Sequence, residues 1–187
     1  VIPSYVEGLP VSEIMDDAFY NDKELRDVKV PLTVKRIGEC AFYGCENLES
    51  MTLPFVGETA GGTENVHFGY IFGAYSSGEN YSNVPYSLKS VTVTGDYDIG
   101  NQAFYNISGI ESIIVTGQVK NIGDEAFCYC YGLQTLTLPS SISNVGINAF
   151  WDCNNLQYTE YENGKYISCG DNRYFILTEV IDRNVRT

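Results

Sequence analysis

Six cysteines are the most reactive side chains in this chain of 187 residues, and their spacing limits the chemistry open to them. Cys45, Cys130 and Cys153 each stand three residues after a phenylalanine, the place held by Asp22 and Ile107 in related stretches. Exchange with isoleucine marks a buried apolar slot, where a free thiol behaves as a small hydrophobe. Cys130 and Cys153 lie one period apart, so a disulfide is open to them if their Cα atoms approach within about 5–6 Å. Cys40 and Cys128 are expected to face outward. Zinc is disfavoured, because Cys128-x-Cys130 alternates across a face and no second pair or histidine joins it. His67, the sole histidine, has no Ser, Cys or carboxylate at a spacing that would make it a base. Asp16-Asp17 and Asp124-Glu125 read as solvated turn residues, since glycosidase carboxylates must share a cleft about 5–10 Å apart. Asn80-Tyr81-Ser82 and Asn106-Ile107-Ser108 match a glycosylation acceptor by composition alone. The expectation is a non-enzyme without metal or cofactor.

Binding chemistry finds more support. Ser50, Thr52, Ser90, Thr92, Ser112, Ile114, Thr135, Thr137 and Tyr158 recur at outward strand positions, with Asp27, Lys29 and Glu160 at the ends. Such a lawn of hydroxyls could meet a protein or glycan, although Thr is also simply a good exposed strand residue. A second stripe directly follows the phenylalanines: Tyr20, Tyr43, Tyr105, Cys128 and Trp151. It would grip a partner, or shield the turn beneath while showing a polar tip. Tyr70, Phe72, Tyr75 and Tyr81 crowd a glycine-rich stretch and are the remaining candidates, either for a ligand or for packing.

The elements that must position these residues follow from repetition. Ile37-Gly38…Ala41-Phe42…Leu48-x-x-Met51-x-Leu53-Pro54 recurs as Ile122-Gly123…Ala126-Phe127…Leu133-x-x-Leu136-x-Leu138-Pro139. Copies of the phrase begin near Val11, Ile99 and Val145 as well, with equivalent positions 23 residues apart in adjoining copies. A period of 20–29 residues carrying L-x-x-L-x-L predicts a β-rich leucine-rich-repeat solenoid of about six coils. Strands are predicted near 26–30, 49–53, 89–93, 111–115, 134–138 and 157–161, stacked in parallel on one face, with short turns opposite. In the copy from Val119 to Leu138 the inward set is Val119, Ile122, Ala126, Phe127, Leu133, Leu136 and Leu138. Gly38, Gly100, Gly123 and Gly146 are expected where the backbone bends with positive φ or another chain segment comes close.

One stretch breaks the rhythm. Leu88 follows Leu48 by 40 residues rather than 23, so 55–87 reads as a degenerate repeat with an excursion. Insertions in repeat proteins often map to the binding face. Tyr166-Ile167 and Tyr174-Phe175-Ile176-Leu177, separated by Gly170-Asp171-Asn172, read as a capping hairpin. The expected division is a solenoid over 1–161, irregular at 55–87, and a cap hairpin and tail over 162–187.

The net charge of −13 argues against nucleic acid and anionic membranes. It suits a monomer kept apart by self-repulsion. No apolar run is long enough to span a bilayer, and no leader resembling a signal peptide opens the chain.

The run Ile37-Gly38-Glu39-Cys40-Ala41-Phe42-Tyr43-Gly44-Cys45-Glu46-Asn47-Leu48-Glu49-Ser50-Met51-Thr52-Leu53-Pro54 resembles the BspA-like leucine-rich repeats nearly position for position. The likeness extends from about 9 to 177, and the closing Tyr166–Leu177 departs from the family's closing element where Arg173 replaces proline. The resemblance implies a piece of a bacterial cell-surface or secreted protein, extracellular, associated with adhesion to host proteins and other cells. It transfers no binding residues. Three roles follow: a module binding a protein or glycan partner through the sheet face or the 55–87 loop, a passive stalk, or a carbohydrate-binding module using the Tyr and Trp stripe.

Overall fold

In Leu48-x-x-Met51-x-Leu53 the last apolar residues alternate with polar ones, so a strand formed there buries one face and leaves the other to solvent. The computed structural model describes residues 1–161, 164–168 and 174–176. Its elements run β1 (Tyr5–Val6), β2 (Leu9–Pro10), β3 (Glu13–Ile14), β4 (Asp27–Lys29), β5 (Arg36–Ile37) and β6 (Ser50–Leu53). The irregular stretch then holds 3₁₀ turns at Phe68–Phe72 and Ser77–Glu79 and the short helix α1 (Asn80–Asn83). After it come β7 (Ser90–Val93), β8 (Ser112–Val115), β9 (Asn121–Ile122), β10 (Thr135–Thr137) and β11 (Asn144–Val145). The described chain closes with β12 (Thr159–Tyr161), β13 (Gly164–Ser168) and β14 (Tyr174–Ile176).

The predicted solenoid forms. β4, β6, β7, β8 and β10 pair in parallel as one five-stranded sheet. Smaller parallel pairs, β3 with β5 and β9 with β11, recur at a second corner of the coil. The expected sixth parallel strand does not join. Gln157 N–H still donates to Gln134 O at 2.8 Å, but β12 then turns away and pairs antiparallel with β13. Thr159 and Tyr161 stand where Leu136 and Leu138 hold the previous strand to the core, so this strand has no pair of aliphatic anchors. β13 pairs antiparallel with β14, Tyr166 opposite Ile176. The intervening Gly170-Asp171-Asn172 and Leu177 lie outside the described residues.

At the corner opposite the sheet the Ala-Phe pairs stack. Phe19 lies over Phe42 with centroids 5.1 Å apart, Phe104 over Phe127 at 5.3 Å, and Phe127 over Phe150 at 5.5 Å, all nearly parallel. The irregular stretch closes the gap. Phe42 N–H donates to Ile71 O and Phe68 N–H to Ala103 O, so Phe68–Phe72 enters the stack as a coil between the second and fourth. Phe72 reaches Phe42 and Phe68 reaches Phe104. Hence Phe72, fully buried, and Tyr70, nearly so, belong to the core and offer no ring to a partner.

Asn80 and His67 hold this coil. Asn80 has no exposure; its Oδ1 accepts the Gly69 N–H and its Nδ2 donates to Tyr105 O, both at 2.9 Å. The first acceptor match for glycosylation is therefore a structural asparagine. His67, also buried, sets Nε2 3.0 Å from Ala74 O. Replacing Asn80 by Ala strands a buried donor and a buried acceptor. We expect a loss of about 2–4 kcal/mol, read as a lower urea midpoint, with Asn80→Asp no milder at neutral pH, because it buries a carboxylate against the Tyr105 carbonyl.

Candidate functional site

The sheet brings the hydroxyl residues together in two rows that cross the strands. Asp27, Ser50, Ser90, Ser112 and Thr135 form one; Lys29, Thr52, Thr92, Ile114 and Thr137 form the other. Register pairing makes each row straight, since in-register parallel strands place equivalent side chains about 4.8 Å apart. The rows are exposed at both ends, at Asp27 and Lys29 on β4 and at Ile114 on β8 with Thr135 and Thr137 on β10, and half-buried between them. Some hydroxyls are spent within the row: Ser50 Oγ donates to the Asp27 carboxylate, and Thr135 Oγ1 to Ser112 Oγ at 3.0 Å. Beside the rows run Arg26–Glu49 at 2.8 Å and Lys89–Glu111 at 3.4 Å, an alternation of charge that the hydroxyl pattern alone did not reveal. Tyr158 leaves the row with its strand. It lines a groove of about 340 Å³ with Thr135, Leu136, Gln157 and Tyr166, where the parallel sheet ends.

Elsewhere the aromatic stripe is only partly as expected. Tyr20 and Tyr43 stack at 5.2 Å, and Tyr20, Tyr43 and Trp151 are exposed. The third coil interrupts them, with Gly73 packed near the Tyr43 ring. Cys128, expected outside, is buried, and its neighbour Tyr129 carries the stripe onward, edge-on to Tyr105 at 5.5 Å. From the third coil Tyr75 and Tyr81 project into solvent, as does Tyr86 beneath the Lys89 ammonium at 4.0 Å. A cleft of about 420 Å³ opens between Tyr43, Gly44 and Glu46 on one side and Ser82, Asn83 and Pro85 on the other.

Arg36 ties three coils. Its guanidinium meets Glu13 at 2.7 Å, Asp16 at 2.8 Å and Glu58 at 3.2 Å, and the Glu13 and Asp16 bonds raise its pKa further. The carboxyl of Glu58 is held below the usual range by the Asn65 amide and then by Arg36, against the opposing effect of burial. Among the described residues no group of three or more His, Cys, Asp or Glu is placed to hold a metal ion. None of the helices there is long and apolar enough to cross a membrane.

Comparison with known proteins assigns this architecture. The family model for the BspA type leucine rich repeat region, in six copies, matches residues 12–61 and 80–181. The chain belongs to the BspA-type leucine-rich repeat family. Repeats of this kind serve as protein-interaction modules and are typically non-catalytic. Similar solved structures include the leucine rich repeat protein of T. pallidum, 26% identical, covering 83% of this chain and 54% of that one, with a TM-score of 0.39. A leucine rich cell surface protein from Faecalibacterium prausnitzii is 23% identical over 94% of this chain and 52% of its own, at 0.46. A leucine-rich repeat protein from Eubacterium ventriosum is 21% identical over 91% and 40%, at 0.50, a likeness of fold alone. The chain thus spans about half the length, or less, of the solved structures it matches. No curated protein matches.

The cysteine of the BspA-type phrase has a role beyond filling space. Cys45 Sγ donates to Phe19 O at 3.2 Å, Cys130 Sγ to Phe104 O at 3.0 Å and Cys153 Sγ to Phe127 O at 2.9 Å. Each thiol caps the phenylalanine carbonyl of the coil before it. Ile107 replaces Cys where the preceding coil is the irregular one and no Phe lies 26 residues earlier. The five described cysteines are free, so Cys130 and Cys153 are not bridged. Burial pushes the Cys130 thiol well up, with Cys153 adding to it, and burial then Glu125 push Cys128 up to about 11. Raised values deplete the thiolate, the reactive form, at every pH below them. In a Cys169→Ser variant at pH 8, Cys45, Cys128 and Cys130 should alkylate with iodoacetamide more than about tenfold slower than Cys153. Urea should erase the difference. Rapid labelling of Cys130 in the folded protein would show that its slot is open.

Proposed function

We propose that this chain is a non-catalytic recognition segment of a bacterial cell-surface or secreted protein, which binds a protein partner through the Ser/Thr face of its sheet. The observation that carries the reading is the pair of straight, in-register hydroxyl rows, half-buried in the middle of the sheet, exposed at β10 and flanked by alternating charges. Small hydroxyl side chains cost little entropy to order and let another backbone approach closely. Five strands of about four residues measure roughly 20 by 13 Å, on the order of 250 Å², against about 800 Å² per partner in a standard interface. A partner must therefore also cover the turns beside the strands. Tyr75 and Tyr81 support a second reading, in which the third coil makes the contact. The division into a solenoid over 1–161 and a cap over 162–187 belongs to the same proposal.

The test is the triple change Thr52→Glu, Thr92→Glu, Thr137→Glu, assayed on an array of host-matrix proteins and glycans. Loss of a captured protein ligand by more than about tenfold, with an unchanged circular dichroism spectrum, supports the sheet face. Retained binding that Tyr75→Ser with Tyr81→Ser abolishes moves the site to the third coil. No ligand at all on the array supports a stalk. A Trp151 fluorescence shift with oligosaccharide, and no protein captured, supports a carbohydrate module.

A further inference from the structure

Two slots in each regular coil are held with the backbone in the left-handed region: one directly before the Ala-Phe pair (Asp17, Cys40, Gln102, Glu125, Asn148), and a second, two residues after the phenylalanine. Asn21, Gly44, Asn106 and Asp152 occupy the second slot in four coils, all residues that tolerate positive φ. In the remaining regular coil it holds Tyr129 at φ 60°. A bulky ring there is a backbone outlier, of the kind that persists at functional sites when the surroundings enforce it. The surroundings do. Cys128, small and buried, vacates the place that Tyr105 takes one coil earlier, and the Tyr129 ring packs edge-on against Tyr105 and beside Tyr131 at 6.0 Å. Trp151 stands exposed on the next coil, where its carbonyl accepts the Tyr129 N–H.

Carboxylates border these rings. Glu125 accepts from Gln102 Nε2 at 2.7 Å, and Asp152 from the Tyr131 hydroxyl at 3.1 Å. Neither forms an ion pair with a described cation. Their field reaches the rings: the Tyr105 and Tyr131 hydroxyls are raised, chiefly by burial and then by groups that include Glu125 and Asp152 respectively. Between residues 90 and 160 the sequence has one lysine, Lys120, and no arginine, against seven acidic residues. Rings at 83° offer edges and faces at an angle, unlike a flat platform for a sugar. Aromatic faces beside unpaired carboxylates suit a cation, most of all a guanidinium.

We propose that Tyr105, Tyr129, Tyr131 and Trp151, with Glu125 and Asp152, form a docking surface for an arginine-rich polypeptide segment, on a flank apart from the hydroxyl sheet. Guanidinium groups stack on the exposed rings and pair with the two carboxylates.

Fluorescence anisotropy of a labelled Arg-Gly repeat peptide at low and moderate salt tests this. Tyr129→Asn leaves the net charge untouched and installs the residue that Asn21 and Asn106 already place in this slot, so the fold holds and thermal stability stays equal or rises. The expected result is affinity lower by about five- to tenfold in Tyr129→Asn, a further loss in Glu125→Gln with Asp152→Asn, and wild-type affinity in Tyr20→Asn. Equal affinity of wild type and Tyr129→Asn would overturn the proposal, because the peptide would then be held only by the overall negative charge. Absence of peptide binding, with a neutral oligosaccharide bound in a Tyr129-dependent way, would overturn it in favour of a glycan. The sheet-face triple change adds three negative charges and so does not lower this affinity, and the two readings fail separately.

Discussion

Truncating Phe127 to Ala is expected to cost about 3–5 kcal/mol and to uncouple one end of the solenoid from the rest. The ring is fully buried and sandwiched between Phe104 and Phe150, at 5.3 and 5.5 Å and within 6° of parallel. Removal therefore loses the transfer free energy, leaves a cavity, and breaks two ring stacks worth about 0.5–1.5 kcal/mol each. Collapse cannot refill the space, because Ala126 and the backbone bonds Phe127 N–H to Ala149 O and Phe104 N–H to Ala126 O fix the rung spacing. In a repeat array each coil touches only its neighbours, so a weakened interface lets one end unfold by itself. Trp151, the sole tryptophan, lies beyond the lesion and reports on that end alone. In the wild type, urea transitions followed by tryptophan fluorescence and by far-ultraviolet circular dichroism should coincide. In Phe127→Ala the fluorescence transition should come first. Phe19→Ala, at a half-buried ring with one stacked neighbour, should cost about half as much and leave the transitions coincident. Coincident transitions and a loss below about 1 kcal/mol in Phe127→Ala would show that the ladder is not what couples the coils.

The stacking of coils was legible in the sequence because it depends on period and alternation, both of which a single chain displays. Ile37, Ala41, Phe42, Leu48, Met51 and Leu53 repeat at fixed offsets, and each is buried. The candidate surface was legible to the same degree: alternation places Ser50, Thr52, Ser90 and Thr92 outside, and register places them in rows. Departures came where a position's meaning depends on the coil before it. The thiol of Cys130 and the methyls of Ile107 look interchangeable in sequence, yet only the thiol finds a phenylalanine carbonyl to cap. Cys128 and Tyr129 look like a break in the aromatic stripe, and only the left-handed backbone at Tyr129 shows that the stripe shifts by one residue. Phe72 and Tyr70 looked like loop aromatics because 55–87 lacks the period, while in space Phe68–Phe72 occupies an ordinary rung by a 3₁₀ turn. Period identifies neighbours only while it holds.

The largest effect per atom added is expected at Gly123, and it decides between the two reasons a glycine could follow the isoleucine of each copy. Gly123 is not among the positive-φ glycines, so a bend does not require it. A Cβ there would instead lie 2.5 Å from the Asn101 N and 2.7 Å from the Gly100 carbonyl carbon, both backbone atoms. Neither coil can retreat. Gly123 N–H donates to Ile99 O at 2.8 Å, Asp124 N–H to Asn101 Oδ1 at 2.9 Å, and Gln102 N–H to Asp124 O at 2.8 Å. Parting the coils by the ångström that a methyl needs would stretch all three. Overpacking usually costs about 1–3 kcal/mol; the Asn101 Oδ1 could turn aside, but the two backbone atoms cannot, so Gly123→Ala should reach or exceed the upper end. Gly8→Ala is the contrasting variant. It sits at φ 81° in the β1–β2 turn with open space where the methyl would go, so only the left-handed backbone is penalised, by about 1–2 kcal/mol. Urea midpoints for the two variants separate the causes. A Gly123→Ala loss no greater than that of Gly8→Ala would mean that the coils are not in backbone contact at this rung, and that the tight pitch of the stack is set elsewhere.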